Sequence, residues 1–545
     1  MKVIGFDFGT TNSTISYFNK ESNALDSFKV RAGDADYIPT VVAYNLKKNN
    51  EVSIGNTAKP NVTLKNYEAY EHFKLLLGKN ADKIIEGKSK TPIQVTHDFI
   101  KKLLDEYKIN QKMDEKTNLD GIVMTVPETW IREESNRTAR ENIIDIFKTL
   151  GYKENENFQL ESEPVGAATY FCWSYKQKEG KEYTGHITVI DYGGGTLDVT
   201  LCEAMKDGKI KILERCGYGE YNETNGCAGV AFDETVVEKL IRDKNLPIKR
   251  GEPKFIDLRN SFENRKINEC EQITKDLKDY YDDPDIVEGD SIFQLKYNDE
   301  GDTFDVCCKD LDECFCKVNA PKLKESLEQI KQYFSVYNIN SNAPENFKVL
   351  LVGGFSNFYA VEKEVRESFG VTSGNIDKRF EQPFEIKNRT LAISRGAALI
   401  AAGEFSIEHT CTHNYGYVTY GLGKESDNLI PYFNPIIKKG ENLKKYSEPL
   451  FADRKEYVKH PAGKLFIYID DGRPNNAGRS QPIPLGESVK ELFPNVDNDY
   501  ADKWYQIGFS VSRNQIPTIY IKDKHGTVIS STSLNKLIEK IGISQ

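Results

Sequence analysis

The chain has 545 residues, 39% hydrophobic and 29% charged, with a formal net charge of −10. That is an ordinary globular balance, long enough for about two to four domains. That net charge argues against nucleic acid as the main partner, since backbone binding needs a basic face, and no apolar run approaches the ~20 residues a membrane-spanning helix needs, so neither nucleic acid nor membrane is an expected partner.

Met1-Lys2 leads straight into a strand containing Asp7, so no secretory leader is expected and a cytoplasmic location is. That strand begins the segment Ile4-Gly5-Phe6-Asp7-Phe8-Gly9-Thr10-Thr11-Asn12-Ser13. It reads as apolar strand, acidic residue, Gly/Thr turn, second strand. Phe73 to Gly78 carries Lys74, which by itself suits the exposed side of an amphipathic helix. Gly121 to Pro127 reads as a buried strand ended by proline, and Glu133 to Leu150 as a helix closed by Gly151. Phe158 to Glu161 is a short strand. Val165 to Tyr170 opens a helix whose small residues permit close packing.

Val189-Ile190-Asp191-Tyr192-Gly193-Gly194-Gly195-Thr196-Leu197-Asp198-Val199 then repeats the first pattern. Glycine lets backbone N–H groups approach a phosphate closely, and threonine hydroxyls add donors. An aspartate at the strand end suits hydrated Mg²⁺, which prefers one or two carboxylates plus waters. Two such hairpins facing each other would hold a nucleotide's phosphates from both sides. Either one alone is an ordinary turn. The Gly193–Gly195 run does not fit a dinucleotide loop, because Leu197 to Leu201 alternates as a strand where that fingerprint opens a helix. There is no Gly-x-x-x-x-Gly-Lys-Ser/Thr loop.

Asp279 to Asp290 reads as a solvated acidic loop. Ten cysteines in so long a chain are not a disulfide framework. Cys307, Cys308, Cys314 and Cys316 are expected as reduced residues of core strands. His409-x-Cys411-x-His413 is expected to alternate along an extended linker, and neither group has zinc-finger spacing. Lys348 to Gly354 is another strand-to-turn, followed by a helix over Val361 to Phe369 with Gly370 as its cap. The region up to about residue 402 is therefore α/β, with one hairpin motif used twice in two related lobes. Beyond Gly403 come short alternating strands: Tyr417 to Tyr420, Lys464 to Ile469, Gln506 to Val511 and Pro517 to Lys522. These predict a β-sandwich over 416 to about 535, with a helical stub from Ser533 to Ile541.

Together the motifs resemble the actin-like ATPase superfamily, and within it the seventy-kilodalton heat-shock chaperones of DnaK type. Asp7 to Ser13 and Asp191 to Val199 resemble the two phosphate motifs. Thr125-Val126-Pro127, Glu163-Pro164-Val165-Gly166-Ala167-Ala168 and Arg395-Gly396-Ala397-Ala398 resemble the strand-end proline, the connecting helix and the closing helix. Val352-Gly353-Gly354 resembles the adenosine loop, and Ile38-Pro39-Thr40-Val41-Val42 a further chaperone signature. The context of Lys74 resembles the segment bearing the lysine near the γ-phosphate. Leu258-Arg259 with Glu263 and Lys266 resembles the helix that reaches adenosine. More loosely, Leu429 to Gly440 and Phe509 to Gly526 resemble loops of a chaperone substrate-binding sandwich.

The resemblance implies duplicated ribonuclease-H-like lobes, lobe I about 1–180 and 371–402 and lobe II about 181–370, forming a nucleotide-binding domain over 1–402. A linker over 403–415 and a substrate-binding-like sandwich over 416–545, without a helical lid, would follow. It implies slow hydrolysis of ATP to ADP, with Mg²⁺ held through water by Asp7 and Asp191. Gly9, Thr10, Thr11, Asn12, Gly193, Gly194, Gly195 and Thr196 would bind phosphates. Lys74, Glu163 and Asp198 would position water and balance charge at the γ-phosphate. Glu263, Lys266, Gly353, Gly354 and Phe355 would bound the adenosine side. Implied partners are unfolded or extended polypeptide, a J-domain-like co-chaperone and a nucleotide exchange factor. There are departures. Phe355 and Asn357 stand where chaperones have a small polar residue and an arginine, and Thr390 where they have an acid. Glu404 to Asn414 lacks the acidic-flanked Leu run. Other readings stay open: an actin-like filament protein, an actin-like ATPase with a dedicated protein-recognition module, and a small-molecule kinase of the same superfamily.

Overall fold

The computed structural model describes residues 2–31, 35–78, 81–114, 117–132, 134–154, 156–219, 226–283, 291–298, 300–371, 377–380, 389–411, 413–423, 426–452, 465–470, 483–485, 506–512, 517–523 and 525–534. They divide into two compact units: Met1–Ile210 with Glu214–Ser406, and Lys211–Leu213 with Ile407–Gln545.

In the first unit, one sheet runs Ala24–Ser27, Asn12–Asn19, Val3–Asp7, Gly121–Val126, Phe158–Ser162. Val3–Asp7 is central. It pairs antiparallel with Asn12–Asn19, Asp7 opposite Thr14, and parallel with Gly121–Val126, Asp7 opposite Thr125. A second sheet repeats this plan. Gly185–Tyr192 pairs antiparallel with Leu197–Met205, Asp191 opposite Asp198, and parallel with Phe347–Val352, Asp191 opposite Val352. Lys209–Tyr218 lies beyond Leu197–Met205. Val3–Asp7 thus ends on Asp7, and Gly185–Tyr192 carries Asp191 one residue before its end, each at the mouth of a tight hairpin. Val3–Asp7 and Phe347–Val352 are buried throughout and Gly185–Tyr192 is buried from Ile187 on, as parallel pairing with covered faces requires.

The helix Pro92–Asn110 shows why local sequence forms these elements. Thr91 Oγ1 accepts from Gln94 N at 3.2 Å and Gln94 Oε1 accepts from Thr91 N at 3.0 Å, a reciprocal cap, with Pro92 at the first helical position. Val95, Phe99, Ile100, Leu103, Leu104 and Tyr107 recur on one side and are buried. They join Phe6, Phe8 and Phe73 in a single core cluster. The helices Glu163–Glu179 and Ala392–Ala401 cross at Gly166 and Gly396, where a Cβ on Gly396 would lie 1.7 Å from the Gly166 carbonyl oxygen. Only glycine lets these backbones touch.

Several elements differ from the sequence reading. The expected helix Glu133 to Leu150 is found as Glu134–Thr149, with residue 133 outside the described set, and a separate short helix, Thr129–Arg132, that the sequence reading did not include comes before it. Asp279 to Asp282 close the helix Cys270–Asp282 instead of sitting in a loop, because Ile273 and Leu277 anchor that helix to the core; 284–290 lie outside the described residues. Cys307 ends the strand Thr303–Cys307, but Cys308, Cys314 and Cys316 lie on the helix Cys308–Val318, whose buried face is Cys308, Leu311, Cys314 and Phe315. That spacing is helical, and a strand reading missed it. No disulfide joins described residues.

Among its described residues the second unit holds two four-stranded antiparallel sheets. One runs Ser426–Ile437, Asn414–Gly423, Leu465–Asp470, Ile483–Leu485; the other Leu450–Phe451, Gln506–Val511, Pro517–Lys522, Val528–Ser533. Tyr415, Tyr417 and Ile437 from the first share one core with Phe509, Val511, Ile519 and Ile521 from the second. Strict alternation of buried and half-buried residues in Pro517–Lys522 matches a sheet with one covered face. The segment around Cys411 is packed: Cys411 N donates to Glu441 O and Gly440 N to Cys411 O, both at 2.9 Å, and Cys411 is buried. Of the helix expected from Ser533 to Ile541, Ser533 ends the strand Val528–Ser533, and 535–541 lie outside the described residues. Among the described residues no helix is long and apolar enough to cross a membrane.

Candidate functional site

The two hairpin turns face each other. A Cβ on Gly194 would meet Thr11 Oγ1 at 2.2 Å, and one on Gly195 would meet Thr10 Oγ1 at 2.5 Å and Leu75 Cδ2 at 2.6 Å. The threonines of one turn therefore rest on the bare backbone of the other. Behind the second turn, the helix Gly229–Asp243 braces it: Gly229 N donates to Gly193 O at 3.1 Å and Val230 N to Gly194 O at 2.8 Å.

Between the turns is a cavity of about 140 Å³. Asp7, Gly9, Thr10, Thr11, Asn12, Lys74, Glu163, Asp191 and Gly193 through Thr196 line it, as do Glu263, Lys266, Gly353, Gly354 and Phe355. Asp198 is the exception. It is fully buried one layer behind the wall, where its Oδ1 accepts from Thr129 N at 3.2 Å.

Lys74 is not a surface lysine. It sits on a single 3-10 turn, Phe73–Leu76, entered through His72 at φ 55, and its side chain is 2% exposed. Its Nζ is 2.8 Å from Glu163 Oε1 and lies over the rings of Phe8 and Trp130, 5.7 and 5.6 Å from their centroids. Glu163 starts its helix just past the strand Phe158–Ser162, so its carboxylate sits at a favourable helix N-terminus.

Acids outnumber this lysine. Burial, then the Glu163 charge, push Asp7 up to about 7, with Lys74 and the Thr125 hydroxyl opposing. Burial, then Glu163, Asp198 and Asp7, hold Asp191 well above the usual carboxylate range. Burial, then Glu163 and Glu128, do the same to Asp198. Asp191 Oδ2 and Asp198 Oδ2 are buried and, among the described residues, lack a hydrogen-bond partner. Among the described residues no three His, Cys, Asp or Glu are placed to ligate one metal directly; the cavity carboxylates Asp7 and Asp191, with the unused Asp191 Oδ2, fit only a cation that keeps most of its waters, as Mg²⁺ does.

A second cavity of about 430 Å³ shares Lys266, Ile267, Gly354, Phe355 and Thr390 with the first. Its remaining wall is mostly apolar or uncharged, including Cys270, Ile273, Asn357 and Phe358. Lys266 reaches Asp233, whose carboxyl burial pushes up to about 6 against the lysine's pull. Glu263 is 3.2 Å from Lys59, and Arg259 is 2.7 Å from Glu71. Sequence reading missed Gly229, Val230, Asp233, Ile267 and Ile393 among the lining residues. Ala228-Gly229 ahead of the helix was a local signal of close packing; the others have none.

The sequence model described as Hsp70 protein matches residues 3–126 and 85–402. The chain belongs to the Hsp70 family. It is a divergent member with that family's two-lobed actin-like ATPase fold. It is 25% identical over 559 residues to the chaperone protein DnaK of Thermosipho melanesiensis, covering 98% of this chain and 82% of the relative. The DnaK chaperones of Thermosipho africanus and Thermotoga neapolitana are 25% and 24% identical over 73% of this chain, which spans 58% and 59% of those relatives.

Proposed function

We propose that this chain binds ATP with Mg²⁺ between the two hairpins, hydrolyses it slowly, and couples that cycle to chaperone-like handling of extended polypeptide. The facing of two Asp–Gly/Thr hairpins across one cavity, with the buried Lys74–Glu163 pair on its wall, carries this reading. Family membership and the DnaK relatives support it.

Gly9, Thr10, Thr11, Asn12 and Gly193 through Thr196 would donate to phosphate oxygens. Asp7 and Asp191 would hold the cation through water. When bound, Mg²⁺ neutralises phosphate charge and orients the terminal phosphate. Lys74 would donate to the attacking water and the γ-phosphate, and Glu163 would fix the ammonium. Asp198 would support the wall from behind. Phosphoryl transfer needs positioning and electrostatics more than covalent help, and a pre-set charged pair in a dry site supplies both. The larger cavity, whose wall includes Lys266, Gly354 and Phe355, would take the nucleoside as ATP or ADP, with Glu263 and Gly353 contributing from the smaller cavity beside it.

The second unit, read as a β-sandwich, would bind extended polypeptide through main-chain hydrogen bonds and pockets for alternate side chains. A J-domain-like co-chaperone, a nucleotide exchange factor and a cytoplasmic setting complete the proposal. The test is ATP turnover and fluorescent-peptide anisotropy on the full chain. Mg²⁺-dependent turnover with weak, fast-exchanging peptide binding is expected. Turnover without binding of any unfolded peptide would favour a dedicated protein-recognition module on the same ATPase.

A further inference from the structure

Three consecutive residues after Pro127 each touch a different part of the site. Glu128 is 1% exposed, and its Oε1 lies 2.7 Å from Nε of Arg215, whose side chain is 4% exposed. Thr129 N donates to Asp198 Oδ1 at 3.2 Å. The Trp130 ring lies under the Lys74 ammonium. Arg215 belongs to Lys209–Tyr218, the strand beside the one that carries Asp198. Just past that strand, Gly219 backs onto Thr129, where a Cβ would lie 2.5 Å from Thr129 Oγ1. The contacts close a ring: Asp198 to Thr129, Glu128 to Arg215, and back through adjacent strands to Asp198. The ring ties the end of the first sheet's strand Gly121–Val126 to the second sheet, directly behind the cavity.

We infer that the buried Glu128–Arg215 pair positions the hydrolysis machinery, clamping the Glu128-Thr129-Trp130 turn so that Asp198 and Lys74 keep their places. The inference rests on the reading of this cavity as the hydrolysis site. Stability alone does not account for the pair, because apolar residues often replace a buried ion pair without loss. Between Glu128 Oε1 and Arg215 Nε the contact is one of charge and not a hydrogen bond, and what apolar residues do not reproduce is the attraction that holds the turn against the second sheet. A displacement of about 1 Å behind a reacting centre costs on the order of 10²-fold in rate.

The experiment compares full-length Glu128→Met/Arg215→Met, Glu128→Gln, Arg215→Lys and Asp198→Asn with the parent, by single-turnover ATP hydrolysis and by ATP titration. The double variant is expected to fold and to bind ATP within about threefold of the parent while hydrolysis slows about 10²-fold. Arg215→Lys, which keeps the charge, is expected to recover part of the rate. Parent-like hydrolysis in the double variant overturns the inference. So does a parallel loss of affinity and rate, which marks a merely structural role. If the double variant does not fold, Glu128→Gln decides by the same two readouts. Parent-like hydrolysis in Lys74→Met, run beside these variants, overturns the site reading itself. Loss in Asp198→Asn beside parent-like pair variants overturns this inference alone.

Discussion

Replacing Lys74 by methionine separates two consequences of one buried charge. The side chain lies 2.8 Å from Glu163 and between the rings of Phe8 and Trp130. Methionine keeps the apolar stem among those rings and removes only the ammonium. Glu163 is then left facing Asp7, Asp191 and Asp198 with no local cation. Removing one partner of a buried pair costs about 3–5 kcal/mol, so the variant should melt clearly lower in Mg²⁺-free buffer. Lys74→Met/Glu163→Gln removes the orphaned charge and should recover much of that stability. Hydrolysis should not recover. A positioned proton-handling group contributes about 10²- to 10⁴-fold, or about 2.7–5.5 kcal/mol of barrier. The assay is single-turnover hydrolysis beside ATP titration, with affinity expected to change little. A single variant that turns over at near the parent rate would refute the argument that Lys74 acts in the reaction. A double variant that recovers both stability and rate would refute the assigned division of roles.

Gly195→Ala should weaken nucleotide binding by at least about tenfold, since a methyl 2.5 Å from Thr10 Oγ1 must push the hairpins apart; equilibrium titration with a fluorescent nucleotide checks it, and an unchanged affinity would show that the turns adapt. Lys59→Ala/Arg259→Ala removes the Glu263 and Glu71 pairings beside the cavity, and should speed nucleotide release about tenfold in a stopped-flow chase, because affinity changes appear mostly in dissociation. His72 is held well below its usual value by burial, then by the Arg259 and Lys59 charges. A base whose folded value is depressed adds stability above the unfolded value of about 6.5, lost as pH falls through and below it at up to about 1.4 kcal/mol per pH unit. His72→Asn suits the left-handed φ of 55 and should flatten that slope between about pH 7 and 5 in denaturant titrations; an identical slope in parent and variant would remove His72 from the account.

The hairpins were legible because their signal is local: an acid at a strand end, then glycine and threonine, then alternation. The repeat of Asp7 and Asp191 at equivalent registers of the two sheets follows from that same pattern. The environment of Lys74 was not legible from pattern alone. Phe8, Trp130 and Glu163 come from three separate segments, and a lone lysine beside leucines reads as amphipathic helix. Asp198 lies a layer deeper than its motif suggests: it shares a sheet face with Asp191 opposite it, yet its carboxylate accepts from Thr129 N instead of lining the cavity. Glu128 and Arg215 carry no motif, and only the fold makes them meet. The cysteines of Cys308–Val318 show a limit of period reading, since a strand and a short amphipathic helix are hard to separate over so few residues.

The facing hairpins are proposed to form one Mg²⁺-dependent nucleotide site. Thermal melting of the full chain with ATP, with and without Mg²⁺, for the parent and Asp191→Asn, tests it most directly. A ligand at a hundredfold excess over Kd stabilises by about 2.7 kcal/mol, so Mg-ATP should raise the parent's Tm clearly, ATP with chelator less, and Asp191→Asn should lose the difference between them. No shift in the parent at millimolar Mg-ATP, or an Asp191→Asn response equal to the parent's, would contradict the claim.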